Sequence, residues 1–470
     1  MQETTLLIGI VLICGLYMSW NIGANDVANA MGTCIGSGAL TLRKAVFLAA
    51  VFEFCGAFFF GDHVSKTVEE GILNASLFLN SRTLAFGFIA CLVGAGAWLQ
   101  IASYCAWPVS TTHSIIGALV GFGITVGGLD GVLWGKVFVI GFGWVLTPFL
   151  GAILAYLTFT FILRKIIFST TPLKAARGIL PIMSGILATI FALVFVYDEF
   201  LKREFNFYLS IAICLVFGVS MGGLAYIYFH RKSFPKTVIS APSENDDKIL
   251  ANLEQARHHL KSISTLSHGD VEFELAKLVD GVSNLKSSIS AKKDSERVES
   301  EYSIVEKLFG KIQLMSACLM AFAHGANDVA NAIGPLVAAI SLLTTGKLNP
   351  GGIPSWALFL GGFGIVMGLV TWGWRVIETI GKKLTELTPT RGFAAEFGAA
   401  TTILIASRLG LPVSATHTLV GAVLGVGMAR GIEALNLGAT RNIIISWFVT
   451  IPMGAIISVC VYLIISSVFG

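Results

Sequence analysis

The sequence predicts an all-α polytopic membrane protein built from two inverted-topology repeats, with interrupted helices or re-entrant hairpins and about 12 membrane segments of roughly 20 residues each. Three observations predict it. The first is composition: of 470 residues, 55% are hydrophobic and only 13% are charged, against about 25% charged in an average soluble domain. The second is that the charges are segregated, with long stretches almost free of them and one dense stretch between His230 and Gly310. The third is internal repetition. Gly23-Ala24-Asn25-Asp26-Val27-Ala28-Asn29-Ala30 recurs letter for letter at Gly325–Ala332, an offset of 325 − 23 = 302. Pro108-Val109-Ser110-Thr111-Thr112-His113 recurs as Pro412-Val413-Ser414-Ala415-Thr416-His417, an offset of 412 − 108 = 304. Two motifs that keep register over this distance mark a duplicated unit.

Apolar segments divide the chain into candidate spans at 5–38 (interrupted), 42–61, 83–104, 107–125, 132–163 (one tilted helix or two), 178–197, 208–229, 312–340 (interrupted), 354–374, 393–408, 412–430 and 440–468. The run from Thr5 lacks a basic leader and a small-residue cleavage site, so it reads as a retained helix. The cysteines sit singly in apolar runs (Cys14, Cys55, Cys214, Cys460), without CxxC pairs. They read as small hydrophobes rather than as a disulfide or zinc framework. Four units follow: a first transmembrane repeat over 1–163, connecting helices over 164–232, a hydrophilic insert over 233–310 and a second repeat over 311–470. In the insert, Leu253, Leu260, Ile263 and Leu266, then Leu275, Leu278, Val282, Leu285 and Ile289, recur at helical spacing on either side of Ser267-His268-Gly269-Asp270. That pattern predicts an amphipathic helical hairpin outside the bilayer.

Loop charges then orient the repeats, because short cytoplasmic loops collect Lys and Arg. Arg164, Lys165, Lys174 and Arg177 share one loop; His230-Arg231-Lys232 precedes the insert; Arg375, Lys382, Lys383 and Arg391 share another loop; Arg43 and Lys44 precede 42–61. Placing these inside puts Asp62, Glu69 and Glu70 outside and makes the insert cytoplasmic. Equivalent loops of the two copies then fall on opposite faces. Inverted repeats of this kind are common in secondary transporters.

The repeated motifs carry the polar chemistry. An Asp inside an apolar span is costly and belongs in a bundle interior or a water-filled cavity. Gly23, Gly325, Gly32, Gly36 and Gly334-Pro335 around the two Asp residues predict a locally unwound helix whose free carbonyls line that cavity. Asn25 and Asn29 share a helical face, so amide and carboxylate oxygens converge there. Hard oxygens without sulfur or imidazole suit a hard cation. In the second motif, Pro108 and Pro412 are expected to open a helix and leave free N–H groups beside small hydroxyls, which suits an oxyanion. The bland alternatives are an interhelical clamp for the first motif and a helix cap for the second. Glu53 and Glu396 are further carboxylates in apolar surroundings; since 396 − 304 falls on Leu92, they are not repeat equivalents. Glu53 and Glu396, with Asn29, Asn331, His113, His417 and Arg408, form a second tier of coupling candidates. On one straight helix Glu396 and Arg408 stand about 18 Å apart and cannot pair.

The two intact motif pairs and the hydrophilic insert between them resemble the inorganic phosphate transporter (PiT) family across essentially the whole chain. The resemblance implies a symporter of inorganic phosphate with sodium, or with protons in some branches. It implies that Asn25, Asp26, Asn327 and Asp328 bind the coupling sodium ions. It also implies that Ser110, Thr111, Thr112, Ser414 and Thr416 contact phosphate. Ala415 in place of Thr111 removes one hydroxyl from the second copy. The residues agree with this picture: the paired motifs bring two carboxylates and no Lys or Arg, so an anion binds well only when cations bind with it. Another oxyanion such as sulfate, or a proton as coupling ion, satisfies the same residues. An anion channel fits the interrupted, inverted halves less well, and an enzyme lacks a nucleophile–base constellation. No organic cofactor is implied. A net charge of +4 without a basic stripe argues against a nucleic-acid partner. The partners implied are phosphate, sodium and the lipid bilayer of the plasma membrane, with assembly as a homodimer also compatible.

Overall fold

A computed structural model describes the chain except residues 1, 79, 106, 195–205, 232–243, 267, 269, 349–351, 374–386, 432–436 and 470. The expected loop cations Lys232, Arg375, Lys382 and Lys383 and the hairpin residues Ser267 and Gly269 lie outside the described residues, as does the side chain of Asn29. The described residues form helices and no strand. In chain order these are α1 (Gln2–Asn25), α2 (Val27–Gly36), α3 (Leu42–Phe60), α4 (Asp62–Glu70), α5 (Ser81–Tyr104), α6 (Thr111–Gly127), α7 (Trp134–Ile162), α8 (Pro172–Phe191), α9 (Phe207–Arg231), α10 (Glu244–Ser264), α11 (Asp270–Asp328), α12 (Ala330–Thr345), α13 (Ser355–Gly368), α14 (Pro389–Arg408), α15 (Ala415–Arg430) and α16 (Leu437–Phe469). In hydrocarbon a backbone must satisfy its own hydrogen bonds, and an apolar helix does so. Among the described residues, eight helical stretches are long and apolar enough to cross a membrane, nine if α3 and α4, bent by 61° at Gly61, count as one. This is fewer than the expected twelve segments, in part because α6 and α15, with 17 and 16 residues, are shorter than the roughly 20 residues a helix needs to cross the hydrocarbon. The segment 132–163 is a single helix over Trp134–Ile162.

The packing exchanges partners between the halves. Helix α6 lies on α16 while α15 lies on α7; α5 also packs on α16, and α14 on α7. Likewise α3 packs on α11 and α13 on α1. The closest crossings are made at glycines. A Cβ on Gly23 would stand 1.8 Å from the Ile365 carbonyl oxygen, and one on Gly325 would stand 2.2 Å from that of Glu53. Reciprocally, Gly368 faces the Trp20 carbonyl and Gly56 that of Phe322. This corrects the expectation that glycines unwind the helix at the Asn-Asp motif. The interruption is a single residue in each copy: Asp26 keeps right-handed helical angles (φ −93°, ψ −22°) and its N–H bonds the Ile22 carbonyl at 2.9 Å. The glycines are there because two backbones touch, a tertiary cause that a sequence window does not contain.

The insert forms the expected hairpin, α10 packed on the first part of α11, with the Glu254 carboxylate accepting from Arg257 at 2.6 Å and also pairing with Lys286. The second arm does not stop at residue 310. Helix α11 runs for 59 residues without a break, from Asp270 through the apolar interior to Asp328. Midway it anchors two neighbours. The Glu306 carboxylate accepts from the Thr390 N–H at 2.9 Å and the Thr390 hydroxyl at 2.8 Å, capping α14; Glu301 accepts from the Leu173 N–H at 3.4 Å, capping α8. Both capped helices begin with proline, Pro389 and Pro172, the residue suited to a first turn.

Candidate transport site

The two helix interruptions meet. Asp26 and Asp328, each 1% exposed, come together with His324 so that one ligand atom of each lies within 4.8 Å of the others. His324 Nε2 stands 3.1 Å from Asp328 Oδ2, and Nδ1 stands 2.7 Å from Glu53 Oε2. The expectation of an all-oxygen group is therefore corrected: an imidazole lies among the carboxylates, bridging Asp328 to Glu53. Sequence reasoning passed over His324 because it lies just outside the repeated motif. The available signal was asymmetry, since 324 − 302 falls on Ile22.

Threonines of the second motif complete the group, each reaching the Asp of the other half. Thr111 Oγ1 donates to Asp328 Oδ2 at 3.0 Å and Thr416 Oγ1 to Asp26 Oδ1 at 3.4 Å. Asn331 Nδ2 donates to Thr111 Oγ1 at 3.2 Å and Thr112 Oγ1 at 3.1 Å. The two motifs also interlock: Thr112 Oγ1 donates to the Val413 carbonyl at 3.0 Å, and Thr416 Oγ1 reaches the Val109 carbonyl at 3.5 Å. Ala415 has no hydroxyl, so Asp26 lacks the short threonine contact that Asp328 receives. Pro108 and Pro412 precede the helices rather than open them. Ser110 and Ser414 are the N-caps, each accepting the N–H of the histidine three residues on at 3.2 Å. The cap reading thus holds for both serines, and each hydroxyl keeps its hydrogen to donate.

The asparagines tie the interruptions to their neighbours. Asn25 Nδ2 donates to Ser103 Oγ at 2.8 Å, and Asn327 Nδ2 to Ser407 Oγ at 3.0 Å; 407 − 103 = 304 repeats the offset of the second motif. Asn327 Oδ1 accepts the Val413 N–H at 3.1 Å, which fixes the segment before α15. Asn25 Oδ1, Asn331 Oδ1 and Asp328 Oδ1 are buried without a hydrogen-bond donor. Buried oxygens left unpaired are costly, and hard oxygens of this kind suit a monovalent or divalent hard cation. His113 and His417 sit at the seam of the halves, ring centroids 4.3 Å apart edge to face, and are covered by Trp144 and Trp447. They face each other rather than the carboxylates.

Glu396 stands apart from this group. Its carboxylate accepts from Ser316 Oγ at 2.5 Å, Gln313 Nε2 at 3.3 Å and Cys34 Sγ at 3.5 Å, and also from Thr33 Oγ1. Arg408, one residue from Ser407, lies over the Phe60 ring at 5.9 Å and lines a small void with His63 and Ala326.

Apolar spanning helices closed around two buried carboxylates and a ring of hydroxyls define a multi-pass membrane transporter for a small ion. Comparison with known proteins assigns the family: the chain matches the Phosphate transporter family over residues 22–458 and belongs to it. It is 44% identical to "Inorganic phosphate transporter 2-1, chloroplastic" of Arabidopsis thaliana over 97% of this chain and 72% of that one. It is 39% identical to a putative phosphate permease of Chlamydia pneumoniae over 98% and 99%. Among solved structures it resembles "The sodium-dependent phosphate transporter", with a TM-score of 0.79, 33% identity and coverage of 99% and 100%.

Proposed function

We propose that this phosphate transporter is a sodium-coupled symporter working by alternating access between two inverted halves, residues 1–163 and 311–470. Residues 164–232 connect the halves, and 233–310 form a cytoplasmic insert at the plasma membrane. Asn25, Asp26, Asn327 and Asp328 hold sodium, and Ser110, Thr111, Thr112, Ser414 and Thr416 present hydroxyls to phosphate. The observation that carries this reading is the meeting of Asp26 and Asp328 beside Thr416 and Thr111, with orphaned oxygens on Asn25, Asn331 and Asp328. Two carboxylates and a phosphate anion repel one another in a low dielectric, so the anion's affinity rises when cations occupy the same centre. Orphaned oxygens, rather than further ammonium or guanidinium groups, indicate that the cations come from solution. The exchanged packing of α6 on α16 and α15 on α7 supports the two-fold relation of the halves, and the opposite signs of equivalent loops support their inversion.

A second coupling ion has its own observation. The Glu53–His324–Asp328 chain is a path of titratable groups into the site, which suits a proton. Uptake of labelled phosphate into proteoliposomes decides between them. The sodium reading expects uptake under an inward sodium gradient and none with choline. Equal uptake under a pH gradient without sodium would transfer the role to protons. Unlabelled sulfate should leave uptake unchanged; competition at equal concentration would widen the substrate to oxyanions in general.

A further inference from the structure

The hydrophilic hairpin carries more apolar surface than it covers by itself. In α10, Ile249, Leu253, Ala256, Leu260 and Ile263 follow one another at alternating steps of four and three residues; in α11, Val271, Leu275, Leu278, Val282, Leu285 and Ile289 do the same. This is the heptad of a helix that buries two adjacent stripes in a bundle. The hairpin covers one of the two. Leu253, Leu260, Leu275, Val282 and Ile289 are half-buried where α10 packs on α11. The other stripe, Ile249, Ile263, Val271, Leu278 and Leu285, is 43–59% exposed, and Ala256 within it is exposed too. Among the described side chains from Lys248 to Ser290, none is buried. Two helices without a buried residue have no core, and helices of this kind owe most of their stability to packing.

The bilayer does not reach this stripe. The apolar span of α11 begins at Glu301, and Leu285 and Val271 stand about 24 and 45 Å further out along the helix. A cover for it must itself be helical and must repeat every seven residues over the same length. A second copy of this hairpin meets both conditions. Two copies in one membrane share their orientation, so their two-fold axis runs along the membrane normal and their hairpins lie side by side, tip beside tip. In that arrangement α10 of one copy lies against α11 of the other, and the charges agree. The Glu254–Lys286 pair sets the level of the two helices. Counted from it, Lys261 comes level with Asp280 to within one residue. Glu254 then meets the partner's Lys286, and Lys261 meets the partner's Asp280. Pairing α10 with α10 instead would set Glu254 and Lys261 each against its own sign.

We propose that the exposed stripe of Ile249, Ile263, Val271, Leu278 and Leu285 is a dimer seam, which closes a four-helix bundle with the hairpin of a second copy of this chain. The stripes of both hairpins form the core of the bundle, and the pairs of opposite charge fix its register. Because α11 continues to Asp328, the bundle joins the helices that carry the transport centres of the two copies. The proposal does not depend on which ion is coupled.

Light scattering of the purified full chain in detergent tests it. The wild type is expected to have the mass of two chains, and Leu278→Glu/Leu285→Glu half that mass. Ser287→Glu, an exposed position of the same helix outside the stripe, should keep the mass of two. Both substituted leucines are already half exposed, so the single chain should keep its helices, which circular dichroism checks. Chains carrying Ile263→Cys, co-expressed with differently tagged chains carrying Leu278→Cys, should give an oxidised product of doubled mass with both tags, above the background set by the cysteines of the wild type. A monomeric wild type overturns the proposal. So does a dimer that survives Leu278→Glu/Leu285→Glu, because its seam then lies elsewhere. If that variant aggregates, cross-linking of the mixed chains no stronger than in the wild type overturns it.

Discussion

The surroundings of α1 and of α11 make a natural experiment. The two helices carry the same motif, cross their partners at the same glycines, and break within one residue of the same motif position, at Asp26 after α1 and at Val329 after α11. Around α1 the crossing is dry: Ile22 and Ile365 are both fully buried. Around α11 the corresponding residues are His324 and Glu53, joined at 2.7 Å; the register follows from the glycine contacts, since 365 − 53 = 312. Backbone geometry has thus been kept at both crossings while the polar chemistry has gathered at one. Duplication supplies the frame, and the buried Glu53–His324 pair occupies only one of its two crossings.

The largest expected effect comes from breaking this difference by halves. Glu53→Ile or His324→Ile alone strands a buried partner, at about 3–5 kcal/mol of stability. The double substitution makes the α11 crossing resemble the α1 crossing and should recover most of that loss. Thermal unfolding of the three variants in detergent measures it, and a double variant no better than the singles would show that the two crossings differ in more than this pair. A smaller effect is expected at the shared carboxylates. Asp26→Asn and Asp328→Asn should each weaken sodium activation of uptake about 10- to 100-fold, on the order of 1.4–2.8 kcal/mol. Asp328, which holds Thr111 and His324, should be the more sensitive; equal losses would mean that the asymmetry does not reach the ions. Next, Ser110→Ala and Ser414→Ala each remove a helix cap worth about 1 kcal/mol. They should lower the melting temperature alike, since the two caps have the same geometry. Smallest is the insert. Lys286 and Arg257 hold the Glu254 carboxyl down at about 2. Its contribution is fully present above the ordinary glutamate value near 4.3 and is lost as pH falls through about 4 toward 2. Limited proteolysis of the hairpin should quicken over that window and not between pH 5 and 8.

Much of this was legible in the sequence because the duplication left identical letters. The paired motifs mark both Asp residues, both serine–threonine turns and the two asparagines, and helical spacing marks the insert hairpin. What was not legible depended on contacts between distant segments. His324 and Gln313 sit outside the repeated letters, and only their difference from Ile22 and Val11 marks them. The glycines look like helix breakers until Ile365 and Glu53 are seen against them. Pro108 and Pro412 look like first-turn residues until the caps are seen to be the serines two positions on.

Helix α11 reaches from the hydrophilic hairpin to Asp328 as one hydrogen-bonded rod about 87 Å long. A regular helix has no swivel within it. A twist or thrust delivered to the hairpin therefore arrives at His324 and Asp328 undivided, while Glu306 and Glu301 pass it sideways into α14 and α8. The site deep in the apolar body has, in effect, a handle that projects into water.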